Sequence, residues 1–165
     1  MAELIPPSVS LHAAFLESLH EWGPGAHEDG FGSDLSDDVE SPAGFAVWVA
    51  ALNADAGRCM YRWIIEDDRI VGAIALRLDA NDIVMRLGHI GYGIRPSARR
   101  RGLGSWAVSE TLQSARQLGL KRVLLVCESS NIASATMIES LGGVAEETER
   151  YAERRYWISL GHLSS

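Results

Sequence analysis

The 165-residue chain has only two cysteines, Cys59 and Cys127, far apart and each in apolar surroundings. They read as buried thiols, which excludes a disulfide framework. There is no CxxC and no closely spaced set of cysteines and histidines. We therefore expect no structural zinc and no metal at the functional site. The N-terminus lacks a basic segment followed by an apolar run. No apolar stretch approaches the roughly 20 residues of a bilayer span. A cytoplasmic location is the resulting expectation. Repeats and linkers are absent too, which points to one domain over residues 1–165, long enough to bury a core. Two nucleotide signatures are also missing. There is no GxxxxGK[ST] and no GxGxxG inside an early strand-helix-strand unit, so neither a triphosphate loop nor the dinucleotide fingerprint is expected.

What the chain does have is charge unevenly placed. The net charge is −7, which argues against a nucleic-acid partner. Residues 1–82 hold 15 acids and 4 bases, a balance of −11, whereas residues 83–165 hold 7 acids and 11 bases, a balance of +4. An anion held by the second half and a cation met by the first would explain this, as would an acidic loop that only aids solubility. The segment from Glu21 to Glu40 concentrates the acids, seven of them with no Lys or Arg. It is rich in Gly, Ser and Asp and reads as a long loop, a length often associated with function.

Periodicity predicts the elements. Leu11, Phe15, Leu19 and Trp22 share one face of a helix over 8–22, with Ser8 or Ser10 as cap. Pro6-Pro7 break any structure before it. A short helix is expected over 45–55. "YRWIIED", "RIVGAIALRL" and "RLGHIGYGIRP" read as three antiparallel strands, with turns at Asp67-Asp68 and "NDIV". A helix follows over 102–119, with Gly119 as terminator. "KRVLLVCE" is an apolar, central strand, "NIASATMIESLGG" a helix, and "VAEETER" and "RRYWISL" two final strands. The order implies an α/β fold, a mixed sheet with helices on its faces.

The segment "IRPSARRRGLGSW" joins a strand to a helix through three arginines and two glycines. The first amides of a helix have no intrahelical acceptor, and the helix dipole adds positive potential there. Glycine lets an anion approach the main chain, and arginine grips phosphate oxygens in pairs. A phosphate or pyrophosphate ligand fits this turn, as does a basic helix start with no ligand.

The stretch from Gly91 to Gly143 resembles the GNAT superfamily of acyl-coenzyme A-dependent N-acetyltransferases. The family's (Q/R)xxGx(G/A) reads here Arg99-Arg100-Arg101-Gly102-Leu103-Gly104, after Ile94-Arg95-Pro96. The short apolar strand is Val123–Cys127, the helix-opening asparagine is Asn131, and Gly142-Gly143 stands where Gly-Phe is usual. The resemblance covers about Tyr61 to Val144. It implies a mostly antiparallel sheet splayed between two strands, with acetyl-CoA (coenzyme A) as cofactor. The pyrophosphate would lie on the backbone of Arg99 to Ser105, and the N–H of Ile94 or a neighbour would face the acetyl carbonyl. Asn131 would contact the cofactor arm, or cap its helix, or both. The implied reaction is acetyl transfer to a primary amine of a small, cationic acceptor that the acidic segment attracts. Trp22 and Phe31 are candidates for an apolar wall there. A non-catalytic acyl-CoA-binding module is the alternative, and a homodimer through a free sheet edge is possible.

For the base, Glu128 at a strand end and His89 on the glycine-bearing strand are candidates, directly or through water. The acid is where the chain departs from the family. Many members carry Tyr seven residues after the Asn, and this chain has Ile138. Tyr92, Tyr151 and Tyr156 are possible substitutes, or the thiolate leaves unaided.

Overall fold

The computed structural model describes residues 1–23, 30–34, 36–147 and 150–161. Among these residues, seven strands, β1 (Glu3–Ile5), β2 (Cys59–Glu66), β3 (Arg69–Arg77), β4 (Ile90–Ile94), β5 (Arg122–Cys127), β6 (Val144–Ala145) and β7 (Arg154–Ser159), form two sheets. The first has the order β1-β2-β3-β4 and the second β5-β7-β6, antiparallel throughout. The helices α1 (His12–Trp22), α2 (Pro42–Ala54), α3 (Asp82–Leu87), α4 (Leu103–Gln117) and α5 (Ile132–Ser140) connect and cover them.

Local chemistry sets the ends. Ser41 caps α2 through the amide of Gly44, and Pro42 supplies the first helical φ. The helix therefore starts three residues before the apolar run that suggested 45–55. Asn81 accepts from the amide of Val84, so "NDIV", expected as a turn, opens the short helix α3. The expected strand "RLGHIGYGIRP" is correspondingly cut to five residues. Gly119 ends α4 with φ +91°, as anticipated. At the end of α5 the amides of Gly143 and Gly142 return to the carbonyls of Ile138 and Glu139, and Gly142 takes φ +95°. These are the bonds of a Schellman stop. The N-terminal expectation is corrected: Glu3–Ile5 pair with β2 before Pro6-Pro7 intervene. Of "VAEETER", only Val144–Ala145 pair as strand, and residues 148–149 lie outside the described residues.

The first sheet is covered on both faces. Trp63, Ile65, Ile70 and Ala73 meet Phe15 of α1 and Phe45, Trp48 and Leu52 of α2. Phe15, Phe45, Trp48 and Trp63 stack or tilt against one another at 5.0–6.1 Å between ring centroids. Ile64, Val71, Ile74 and Leu76 face the other way, against Leu103, Ala107 and Val108 of α4. A register shift between Ile64 and Ile65 leaves β3 one extra residue, so Ile70 and Ala73, three positions apart, face the same core. α5 joins the second core through Ala135 and Ile138. Both cysteines are buried and free.

Candidate active site

Among the described residues, the two sheets share a core but hydrogen-bond to each other at one corner. His89 donates its amide to the Leu124 carbonyl at 2.7 Å and its Nδ1 accepts the Leu124 amide at 2.9 Å. Gly88 bridges Leu125 beside it. Beyond that corner β4 and β5 are not paired, and a cleft of about 310 Å³ lies between them. Its walls are Ile90, Gly91 and Tyr92 of β4, Leu125 to Glu128 at the end of β5, and Asn131, Ser134 and Ile138 at α5.

The β4 backbone is arranged to serve that cleft. The Arg95 amide donates to the Val71 carbonyl and the His89 carbonyl accepts from the Arg77 amide, both toward β3. In an antiparallel ladder the intervening residues point their amides the other way. The N–H groups of Tyr92 and Ile94 therefore face the open side. Side chains alternate in the same way. Tyr92 projects toward α5, where its hydroxyl lies 2.6 Å from Ser134 Oγ. Gly91 and Gly93 are paired with Ala75 and Ala73, so the opposite face of β3–β4 carries only small groups. Gly30 approaches that face so closely that a Cβ there would lie 2.6 Å from the Ala73 carbonyl oxygen.

The Arg-Gly turn follows β4 directly. After a 3-10 turn at Pro96–Ala98, Arg100 takes φ +64° and Gly102 φ +78°. A left-handed non-glycine residue stores strain, and such residues gather at binding sites. No side chain caps α4, and the first helical bond runs from the Trp106 amide to the Gly102 carbonyl. The amides of Leu103, Gly104 and Ser105 precede it and have no acceptor within the helix. Nothing stands within 4 Å of where a Gly102 Cβ would be, so the approach is open. Gly104 serves a different purpose, because a Cβ there would press to 3.3 Å on the Tyr92 ring. The arginines divide their duties. Arg99 donates Nε to the Ile94 carbonyl at 2.9 Å and lies over the Trp22 ring at 5.3 Å. Arg100 is exposed. Arg101 grips both carboxylate oxygens of Glu66, at 2.7 and 2.8 Å.

Glu128 is exposed at the end of β5 and borders the cleft. Asn131 uses Oδ1 to cap α5 at the Ser134 amide, 3.1 Å away, while still lining the cleft. His89 is buried and edges onto Trp157. Burial, then Arg122 and Arg77, push its pKa down. With Nδ1 accepting a backbone N–H, the neutral ring carries its proton on Nε2. Ile138 is buried against the cleft, and a Cβ at position 143 would fall 2.6 Å from its Cγ2. Ile138 and Gly143, the two departures from the family pattern, are thus one packing arrangement. The Tyr92–Ser134 contact could not be read from sequence: it joins residues 42 positions apart across a cleft.

The acidic segment is partly committed. Glu21 and Glu17 of α1 close on the buried Arg95, with Arg95 Nη1 and Nη2 at 2.7 and 2.8 Å from the two Glu17 oxygens and Nε at 3.0 Å from Glu21 Oε1. Asp38 bonds Ser41 ahead of α2, and Asp34 and Asp37 bond within the loop. Glu28 and Asp29 lie outside the described residues. Phe31 is buried between Phe15 and Trp22, as core rather than an exposed wall.

These pairs carry a pH signature. Hydrogen bonds from Arg95 and then Arg69 lower Glu17 from 4.5 to about 2. Burial pushes Glu21 up, but Ser97 and Arg95 outweigh it and bring Glu21 also to about 2. A carboxylate depressed in the fold adds stability above its unfolded pKa and loses it as pH falls through the folded one. The stability difference between wild type and an E17Q/E21Q variant should therefore be full above about pH 4.5 and shrink toward pH 2. Urea titrations at pH 6 and pH 3 check this.

A protein-family model described as Acetyltransferase (GNAT) domain matches residues 16–144. No curated protein matches the sequence. Among solved structures, the microcin C7 self immunity acetyltransferase MccE, in complex with acetyl-CoA and AMP, superposes with a TM-score of 0.68 at 15% identity. It covers 96% of this chain and 92% of that one. A ribosomal-protein-S5-alanine acetyltransferase from Vibrio fischeri gives 0.68 at 18% identity, covering 96% and 91%. An acetyltransferase of the GNAT family from Streptococcus pneumoniae gives 0.68 at 16% identity, covering 98% and 100%. Identities this low speak to the fold. Among the described residues no helix is long and apolar enough to cross a membrane.

Proposed function

Since the chain belongs to the GNAT acetyltransferase family and transfers acetyl groups from acetyl-CoA, we propose that the β4–β5 cleft is where transfer occurs and that the acceptor is the primary amine of a cationic small molecule. The observation that carries the reading is continuity: one strand presents outward amides at Tyr92 and Ile94 and runs without interruption into an uncapped, glycine-opened helix start.

The residues fit the donor. Amides of Gly102 to Ser105 take the pyrophosphate, with the helix dipole behind them and Arg99 and Arg100 beside them. Arg101, held by Glu66, braces the turn through its backbone. Asn131 lines the arm's path while it caps α5. Acetyl-CoA supplies an activated acyl group as a thioester. A free alkylamine has a pKa of about 10.4 and arrives protonated near neutral pH. Glu128 at the cleft rim accepts that proton, directly or through water. The Ile94 N–H donates to the developing oxyanion. The Tyr92 hydroxyl, set by Ser134, gives a proton to the departing sulfur and is restored by the second proton that nitrogen loses as the amide forms, so two protons leave nitrogen: one passes through Glu128 to solvent and the other replaces the one given to sulfur. We assign His89 to holding β4 on β5, since its Nδ1 is already in use.

The acceptor's charge is inferred from the acidic segment, of which Gly30 lies against Ala73, on the face that Gly91 and Gly93 keep free of side chains. Calorimetry with coenzyme A, followed by thiol release over an amine panel that includes peptide N-termini, tests the assignment. Cationic small amines should give the highest kcat/KM. That value should fall about threefold in a D34N/D37N variant and fall with added salt. Peptides as the best acceptors, or indifference to salt, would remove the charge argument and leave the donor site standing.

A further inference from the structure

Arg95 is a buried cation, 2% exposed, and it sits between the strand that lines the cleft and the turn assigned to pyrophosphate. All its N–H groups are engaged. Nη1 reaches Glu17 Oε2 at 2.7 Å and the Ile70 carbonyl at 3.3 Å. Nη2 reaches Glu17 Oε1 at 2.8 Å and Glu21 Oε1 at 3.0 Å, and Nε also reaches Glu21 at 3.0 Å. Its two carboxylate partners lie one helical turn apart on the same face of α1.

The two carboxylates do different things beyond Arg95. Glu17 continues to Arg69 on β3, at 2.6 Å, and so ties the arginine to the body of the sheet. Glu21 continues forward into the turn: Oε2 accepts the Ser97 amide at 2.8 Å and Oε1 the Ser97 hydroxyl at 2.7 Å. One residue beyond Glu21, Trp22 lies under the guanidinium of Arg99. The last turn of α1 thus holds residues 95, 97 and 99, the alternate positions leading to Arg100 and its left-handed backbone. The geometry explains how a turn with no side-chain cap keeps its shape: α1 clamps it from outside. α1 is also the helix that delivers the chain into the acidic segment.

We propose that Glu21 is a positioning residue for acetyl-CoA, clamping the 95–99 segment through Arg95 and Ser97 so that the amides of Gly102 to Ser105 are set before the donor binds. This rests on the assignment of that turn to pyrophosphate. Glu17, by contrast, anchors Arg95 to the sheet and belongs to stability. A preset site avoids the ordering cost of binding, so loosening the clamp weakens donor affinity while the chemistry at saturation is preserved.

The test uses calorimetry with coenzyme A, acetyl-CoA kinetics and thermal melting on wild type, E21Q, S97A and E17Q. For E21Q we expect Kd and the acetyl-CoA KM to rise about five- to tenfold, with kcat at saturating acetyl-CoA within about twofold, and a smaller thermal shift on adding coenzyme A. S97A, a change at an exposed residue, should move Kd in the same direction by less. E17Q should lower Tm with a Kd change no more than about twofold. Equal Kd in wild type, E21Q and S97A overturns the clamp even if Tm falls, because that is a purely structural pair. Equal Kd losses in E17Q and E21Q also overturn it. A wild-type chain that binds no coenzyme A overturns the turn assignment itself, a result distinct from a clamp that fails on a binding-competent protein.

Discussion

Replacing Tyr92 by phenylalanine is expected to lower kcat about a hundredfold, the size of effect that follows loss of a positioned acid, while costing stability only about 1 kcal/mol for one hydrogen bond. The position at which the family often carries a tyrosine holds Ile138, buried and without a proton to give. Of the alternatives on other elements, the Tyr156 hydroxyl is spent on Glu139 at 2.9 Å and Tyr151 lies under the Arg155 guanidinium at 4.0 Å. Tyr92 alone of the three lines the cleft. Its hydroxyl is held by Ser134, which also bonds the Cys127 thiol, and burial pushes that thiol's pKa up. An ordinary phenol, near 10, lies within about two units of an alkyl thiol, near 8.5, so transfer between them is not steeply uphill. Steady-state kinetics on Y92F and S134A separate the roles. Y92F should lose kcat at saturating acetyl-CoA with KM little changed, and its pH-rate profile should lose the limb belonging to the acid. S134A, which leaves the phenol in place but unheld, should lose less. Wild-type kcat in Y92F would mean that sulfur leaves without this proton.

What the sequence made legible, and what it did not, follows the range of the interactions. The helix over 102–119 and its glycine terminator are local matters of periodicity and left-handed backbone, and they hold to within two residues. The Arg-Gly turn is a contiguous motif, so its shape and open approach could be anticipated from "RRRGLGS". The short strand β1 has three residues whose pairing with Trp63, Ile64 and Ile65 is set sixty positions away, and no window of sequence contains that information. The cap at Asn81 is local, but the same residues read equally as a turn. The same division runs through the site. Ile94 or a neighbour comes from the resemblance to the family, and the alternation of β4 is what turns the Ile94 N–H to the open side. The division of labour among Arg99, Arg100 and Arg101 depends on Glu66 and Trp22, each far along the chain, and neither carries a motif. Arg95 reads in sequence only as the middle of "IRP", and its burial depends on two carboxylates more than seventy positions earlier.

Substituting alanine at Gly88 should be the most damaging single-methyl change at the cleft, at about 3–5 kcal/mol, or roughly 10–15 °C in Tm for a chain of this size. Two costs combine there. Gly88 holds φ +89° and ψ 166°, a region essentially reserved for glycine, where strain is of order 1–3 kcal/mol. A Cβ would also stand 2.8 Å from the Leu124 carbonyl oxygen and 3.2 Å from the Val126 amide nitrogen, both β5 backbone atoms with no rotamer to escape through. β5 must retreat, and in retreating it stretches the 2.7 Å bond from the His89 amide to Leu124. That bond and the Leu124 amide on His89 Nδ1 are what close one end of the cleft. Activity should therefore fall further than the folded fraction accounts for, because Glu128 and Tyr92 sit on the two strands that separate. Gly119 provides the comparison: its φ is +91°, but nothing lies within 4 Å of its Cβ position, so G119A should cost only about 1 kcal/mol. Thermal melting of the two variants side by side, with kcat measured below both transitions, decides the matter. Equal losses in Tm would show that the backbone of β5 yields at this corner, and a G88A enzyme with normal kcat would show that the corner does not set the distance across the cleft.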